Sequence, residues 1–252
     1  MKRILLFCFG LMLLVTGEAG NGDLLTARKQ VGVTVQRAPA CQRVTSPNGD
    51  LMAARKQVGV TAQRAPACQR VTSPNGDLVV AARKQIGVTT QYVPAYQRIA
   101  YPNGDVPREQ GVCVDVVIRA LRDARKVDLQ KLVHEDMKAN FARYPKDWGL
   151  TKTDTNIDHR RVPNLQCYFK RKGYAMPSTR NAADYHPGDF VTCLVTCPRA
   201  NGVRPRELPH IMLVSDKKSK CGTPLVIHNI GQGTQEEDAL FTWRLTGHYR
   251  MK

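Results

Sequence analysis

A run of sixteen residues from Gly111, GVCVDVVIRALRDARK, has one simple way to bury its apolar side chains. Val117, Ala120, Leu121 and Ala124 recur at helical spacing, with Arg119, Arg122 and Asp123 elsewhere on the surface, so the run predicts an amphipathic helix starting near Cys113. Such a helix needs an apolar partner, and the chain supplies one downstream. HPGDFVTCLVTC turns at Pro187 and Gly188 into an alternating strand, PHIMLVSD gives a second and PLVIHNIGQG a third. A helix followed by consecutive short strands predicts an α+β domain, the helix packed on a small antiparallel sheet.

The chemistry of the helix start follows from its unpaired amides. They and the helix dipole stabilise a thiolate, which lowers the pKa of a cysteine placed there. Cys113 is therefore a candidate nucleophile, and its other reading is a small buried apolar residue. His210 stands at the start of the second expected strand and His228 near the end of the third. A cysteine on a helix start, then a histidine and another polar residue on successive strands, is the chain order of papain-like cysteine hydrolases.

The front of the chain differs in character. Lys2 and Arg3 precede ILLFCFGLMLLV and small residues ending at Ala19, the pattern of a secretory signal peptide over residues 1–19. The apolar run is too short to span a bilayer, and no later stretch serves, so no transmembrane segment is expected after signal removal. Residues 20–74 then hold two tandem copies, beginning at Asn21 and Asn48, of a unit that recurs at Asn75. The third unit carries Tyr92, Tyr96 and Tyr101 where the copies have Arg, Cys and Ser. Small, basic and poor in aromatics, the copies are expected to form a loosely ordered extension, or a wall-binding arm, ahead of a catalytic domain at 75–252. Cys41 and Cys68 occupy the place of Tyr96, and no specific disulfide follows from their spacing.

The chain carries a net charge of +17, of which the two copies supply +6. That balance favours anionic polymers. Beyond the membrane these are wall carboxylates and lipid phosphates, so the expected partner is peptidoglycan or another anionic wall polymer rather than nucleic acid. The expected location is periplasmic or secreted.

From about Leu78 to Arg250 the sequence resembles the bacterial "domain of unknown function 1287" family, which in turn resembles the NlpC superfamily of papain-like cell-wall cysteine peptidases. The blocks that carry the resemblance are IGVTT, IAYPNGDVP, GVCVDVVIRA, DLQKLVHEDM, YPKDWGL, TNIDHRRVPNL, HPGDFV, PHIMLVSD, VIHNIGQG and TGHYR. The resemblance implies a papain-like, NlpC-type core with Cys113 as nucleophile, His210 as general base and then acid, and His228 as the group that orients His210. His228 and Asn229 point to opposite faces of a strand, so only one of them can reach the site. The implied activity is that of an exported thiol protease or amidase cleaving an amide bond in peptidoglycan peptides through a thioacyl intermediate. A thiol acyltransferase and a non-catalytic wall-binding module are the alternatives.

Other residues invite weaker readings. Asp158, His159, Arg160 and Arg161 cluster at an expected turn, where arginines suit a stem-peptide carboxylate or, equally, pin a loop through an Arg–Asp network. Asp115 is expected to cap or pair locally, while Asp105 and Asp189 are expected to serve turns. Lys138 stands where a zinc-protease helix starting at His134 and Glu135 would need its second histidine. Cys193 and Cys197 share a strand face too far apart to bond, and Cys193 replaces the bulkier residue usual beside GDFV. No metal site and no cofactor are expected.

Overall fold

A computed structural model describes residues 74–197 and 205–251. The expected signal peptide, Cys41, Cys68 and all but the last residue of the 20–74 extension lie outside the described residues. Among the described residues no helix is long and apolar enough to cross a membrane.

The third repeat unit forms α1 (Gly76–Arg83), which buries Leu78, Val79, Ala81 and Ala82. Past its end, Gln85 is buried and donates from Nε2 to the Val116 carbonyl at 2.9 Å, tying α1 to the helix beneath it. Two short parallel strands follow, β1 (Gln91–Tyr92) and β2 (Gln110–Gly111).

Helix α2 (Cys113–Arg125) starts at Cys113 as its sequence predicts. Val112 precedes it without a capping oxygen, and Asp115 compensates by accepting the Val112 amide at 2.7 Å. The buried stripe is wider than the apolar pattern implies, because every residue from Cys113 to Leu121 is buried. Arg119, expected on the surface, is fully buried. Its guanidinium donates to Asp105 at 3.0 Å and to the Val106 carbonyl at 3.0 Å, so Asp105 is an ion-pair partner rather than only a turn residue.

Asp128 caps α3 (Leu129–Ala139) by accepting the Gln130 amide at 3.1 Å, and α4 (Val162–Arg171) carries Pro163 in its first turn. A six-stranded antiparallel sheet then runs in the order β3 (Ala175–Met176), β8 (Arg244–Tyr249), β4 (Phe190–Cys197), β5 (Arg206–Lys218), β6 (Pro224–Asn229) and β7 (Thr234–Glu237). The architecture is α+β, with four α-helices and this sheet among the described residues.

Strand alternation divides the core. Phe190, Ile211, Leu213 and Ile227 pack with α1, α2 and α4, whereas Val191, Cys193, Met212, Val214 and Val226 pack with Tyr185, Ala239 and Leu240. β5 begins at Arg206, so His210 lies inside the strand instead of at its start. Gly188 holds the turn before β4 at φ +84°, where an added Cβ would strike the Asn75 side chain and carbonyl. Asp189 does more than serve that turn. It is fully buried, meets His248 Nε2 at 2.8 Å and accepts from Arg250 Nε at 2.7 Å, fixing the end of β8.

Candidate active site

The site forms where the ladder between β5 and β6 ends. Their pairing runs from Leu213 opposite Ile227 toward Lys218 opposite Pro224. Val214 directs its amide to the Asp189 carbonyl on the other side, at 2.8 Å, so alternation aims the Leu213 and Ile211 amides toward β6. On that side the Ile211 amide reaches the Cys113 sulphur at the start of α2 and acts to lower its pKa. The nucleophile candidate is thus tied to the residue next to His210.

The amides of Val114 and Cys113 also act to lower the pKa of Cys113, which is the helix-start effect the sequence implies. Burial outweighs it. Cys113 is only 5% exposed, and removal from water pushes its thiol up to about 12, with Asp115 adding to the rise. The lowered pKa expected from the helix start is therefore corrected: in the free protein the sulphur is a neutral thiol. Burial, reinforced by His228, likewise holds His210 well below the ordinary imidazole range, so the ring is neutral too.

His210 faces Cys193 on β4 and shares its sheet face with His228 on β6. Its Nε2 lies 2.8 Å from His228 Nδ1, and His228 Nε2 lies 2.8 Å from Glu237 Oε1. A carboxylate only accepts, so His228 carries a proton on Nε2, and in the neutral ring Nδ1 is then an acceptor. His210 must then donate from Nε2, which leaves the lone pair on His210 Nδ1. Trp243 stands edge-on to both rings, with centroids 6.0 Å from each.

Asn229 belongs to the other face. Its Nδ2 donates to the Gly111 carbonyl at 3.4 Å and its Oδ1 accepts the Gly231 amide at 3.2 Å. Of the two neighbouring residues, the structure brings His228 to His210 and uses Asn229 to hold the segment before α2.

Asp158, His159 and Arg160 form a short 3-10 turn and are all buried. Arg160 grips Asp115 with two bonds of 3.0 and 2.8 Å, bracing the first turn of α2. Burial pushes His159 down to about 4. Arg161 stacks its guanidinium over Trp148 at 4.3 Å. This cluster supports the helix start from behind, and the Arg160 guanidinium is committed to Asp115.

Two residues at the site escaped sequence reasoning. Glu237 sits in TQEE, a strand too short to show a pattern. Tyr92 packs half-buried against the core beside Cys113, where burial and then the neighbouring Cys113 and Asp115 push its phenol up. The difference between the third repeat unit and its copies, Tyr92 against Arg37 and Arg64, is the signal that marks it. Among the described residues no group of three or more His, Cys, Asp or Glu is placed to hold a metal ion.

Residues 79–251 match the family described as "Domain of unknown function (DUF1287)". The chain belongs to the DUF1287 family. Its match spans Cys113, His210, His228 and Glu237. The uncharacterized protein YijF of Escherichia coli (strain K12) is 58% identical over 145 residues, which are 58% of this chain and 66% of that protein. The chain thus spans just under two-thirds of the length of this curated relative. No solved structure matches.

Proposed function

We propose that this DUF1287 protein is an exported cysteine hydrolase with a papain-like, NlpC-type core that cleaves an amide bond in peptidoglycan peptides. The observation that carries the reading is the 2.8 Å contact between His210 Nε2 and His228 Nδ1, on the strand whose next residue, Ile211, brings its amide to the Cys113 sulphur at the start of α2.

In this mechanism the substrate carbonyl approaches Cys113, and the thiol proton passes to His210 Nδ1 as sulphur attacks the carbonyl carbon. The Cys113 amide, at the free end of α2, donates to the oxygen as negative charge gathers on it. His210, now cationic, returns the proton to the leaving amine, and the thioacyl enzyme remains. Water, deprotonated by the same ring, releases the acid and restores the thiol. A neutral thiol and a neutral imidazole in the free enzyme fit proton transfer in step with attack, not a standing ion pair. The net charge of +17 supports an anionic wall polymer as the partner, and the sequence at 1–19 supports export to where that polymer lies.

The test is acid-quench mass spectrometry of the protein mixed with soluble muropeptides. An acyl mass on the Cys113 peptide that disappears in Cys113→Ala is expected. An added amine that captures the acyl group in preference to water would redirect the reading to acyl transfer. Binding to intact sacculi with no adduct would redirect it to a non-catalytic wall-binding module.

A further inference from the structure

Glu237 lies on β7, where His228 directly faces Gln235 and Glu237 is the diagonal neighbour on the same face. The adjacent Glu236 points the opposite way, to Arg83 at 2.7 Å. One acidic residue of the pair thus anchors α1, and the other meets the buried histidines. Glu237 keeps 45% of its side chain exposed, whereas that of His228 is fully buried. An exposed carboxylate held at 2.8 Å on a buried ring is free to be replaced without opening the core.

We propose that Glu237 is a positioning residue that sets the proton positions of both histidines and thereby makes His210 Nδ1 the base. The proposal rests on the hydrolase reading of the site for its consequence, though not for its geometry. With a carboxylate at His228 Nε2, the proton order is fixed outward from solvent: Nε2–H on His228, then Nε2–H on His210, then a lone pair on His210 Nδ1. A donor at position 237 inverts the order. His228 would then accept at Nε2 and donate from Nδ1, His210 would accept at Nε2, and its proton would move to Nδ1, where the base is needed. During turnover the Cys113 proton goes only as far as His210. Glu237 takes no proton, and its charge favours the cationic His210 through the intervening ring.

The test uses protein labelled with 15N-histidine, whose ring nitrogen shifts report each tautomer, together with kinetics on soluble muropeptides. Wild type should show Nε2–H on both His210 and His228. E237K should show Nδ1–H on both and lose about 100-fold or more in kcat with little change in KM, the scale of a lost general base. E237Q keeps an oxygen acceptor and should retain the wild-type tautomers with a loss below about 10-fold. Unchanged tautomers in E237K, or a kcat for it like that of wild type, would overturn the proposal. Inverted tautomers in E237K combined with no turnover by wild type would leave the relay standing and remove the hydrolase reading.

Discussion

His210 and His228 touch through ring nitrogens, Nε2 to Nδ1 at 2.8 Å, so the proton on one ring dictates the state of the other. Both rings are buried, which strengthens the bond between them. The pair acts as one unit whose orientation is set by strand pairing across β5 and β6.

Removing the second ring should therefore disable the first. His228→Ala is expected to lower kcat on muropeptides by about 100-fold, with KM little moved, because His210 loses the partner that orients it. Steady-state kinetics on the variant check this, and a loss confined to KM would contradict it.

Cys113 should behave as a buried thiol. With its thiol pushed up to about 12, alkylation by iodoacetamide should be slow at neutral pH and should climb steadily through pH 10 with no plateau between pH 5 and 8. Peptide mass spectrometry distinguishes Cys113 from the exposed Cys221. A plateau in that window would show a standing thiolate–imidazolium pair instead.

The Asp115–Arg160 pair is buried on both sides, and Asp115 also caps α2. Asp115→Ala leaves Arg160 charged and unpartnered, so a loss of about 3 kcal/mol or more is expected from urea unfolding. A loss under about 0.5 kcal/mol would mean that Arg160 escapes to water.

Acid should destabilise the fold in two stages. His159 is held at about 4 by burial against an ordinary 6.5, so the unfolded chain binds its proton first and stability falls as pH drops from about 6.5 to 4. At about 1.4 kcal/mol for each tenfold change in proton affinity, this costs roughly 3 kcal/mol. His210 acts in the same direction. Burial alone would raise Asp136 and Glu236, but Arg171 and Lys172 hold the first, and Arg83 and Lys217 the second, at about 2. Their stabilisation is present above the ordinary 3.8 and 4.5 and is lost as pH falls from there toward 2. Asp158, raised by burial, works the other way near pH 4. The urea midpoint should fall from pH 7 to 4 and again below it, and a flat profile above pH 4 would contradict the burial of the two histidines.

The sequence made the local features legible. Helix α2 starts where its periodicity starts, and the strands carrying His210 and His228 alternate visibly, because both signals are short-range. Tertiary relations left weaker traces. Nothing in its helix marks Arg119 as buried, since its partner Asp105 lies on a separate loop. The thiol's rise at Cys113 comes from packing against β5, which a helix-start argument does not include. Choosing His228 over Asn229 needed the register of β6, and finding Glu237 needed β7 beside it.

The most direct measurement is mass spectrometry of soluble products after purified sacculi are incubated with wild type, Cys113→Ala and His210→Ala under reducing conditions. The account predicts new peptide fragments from wild type alone, with one newly exposed amine and one carboxylate at a single type of amide bond. Equal fragments from all three proteins, or none from wild type while it binds the sacculi, would contradict it.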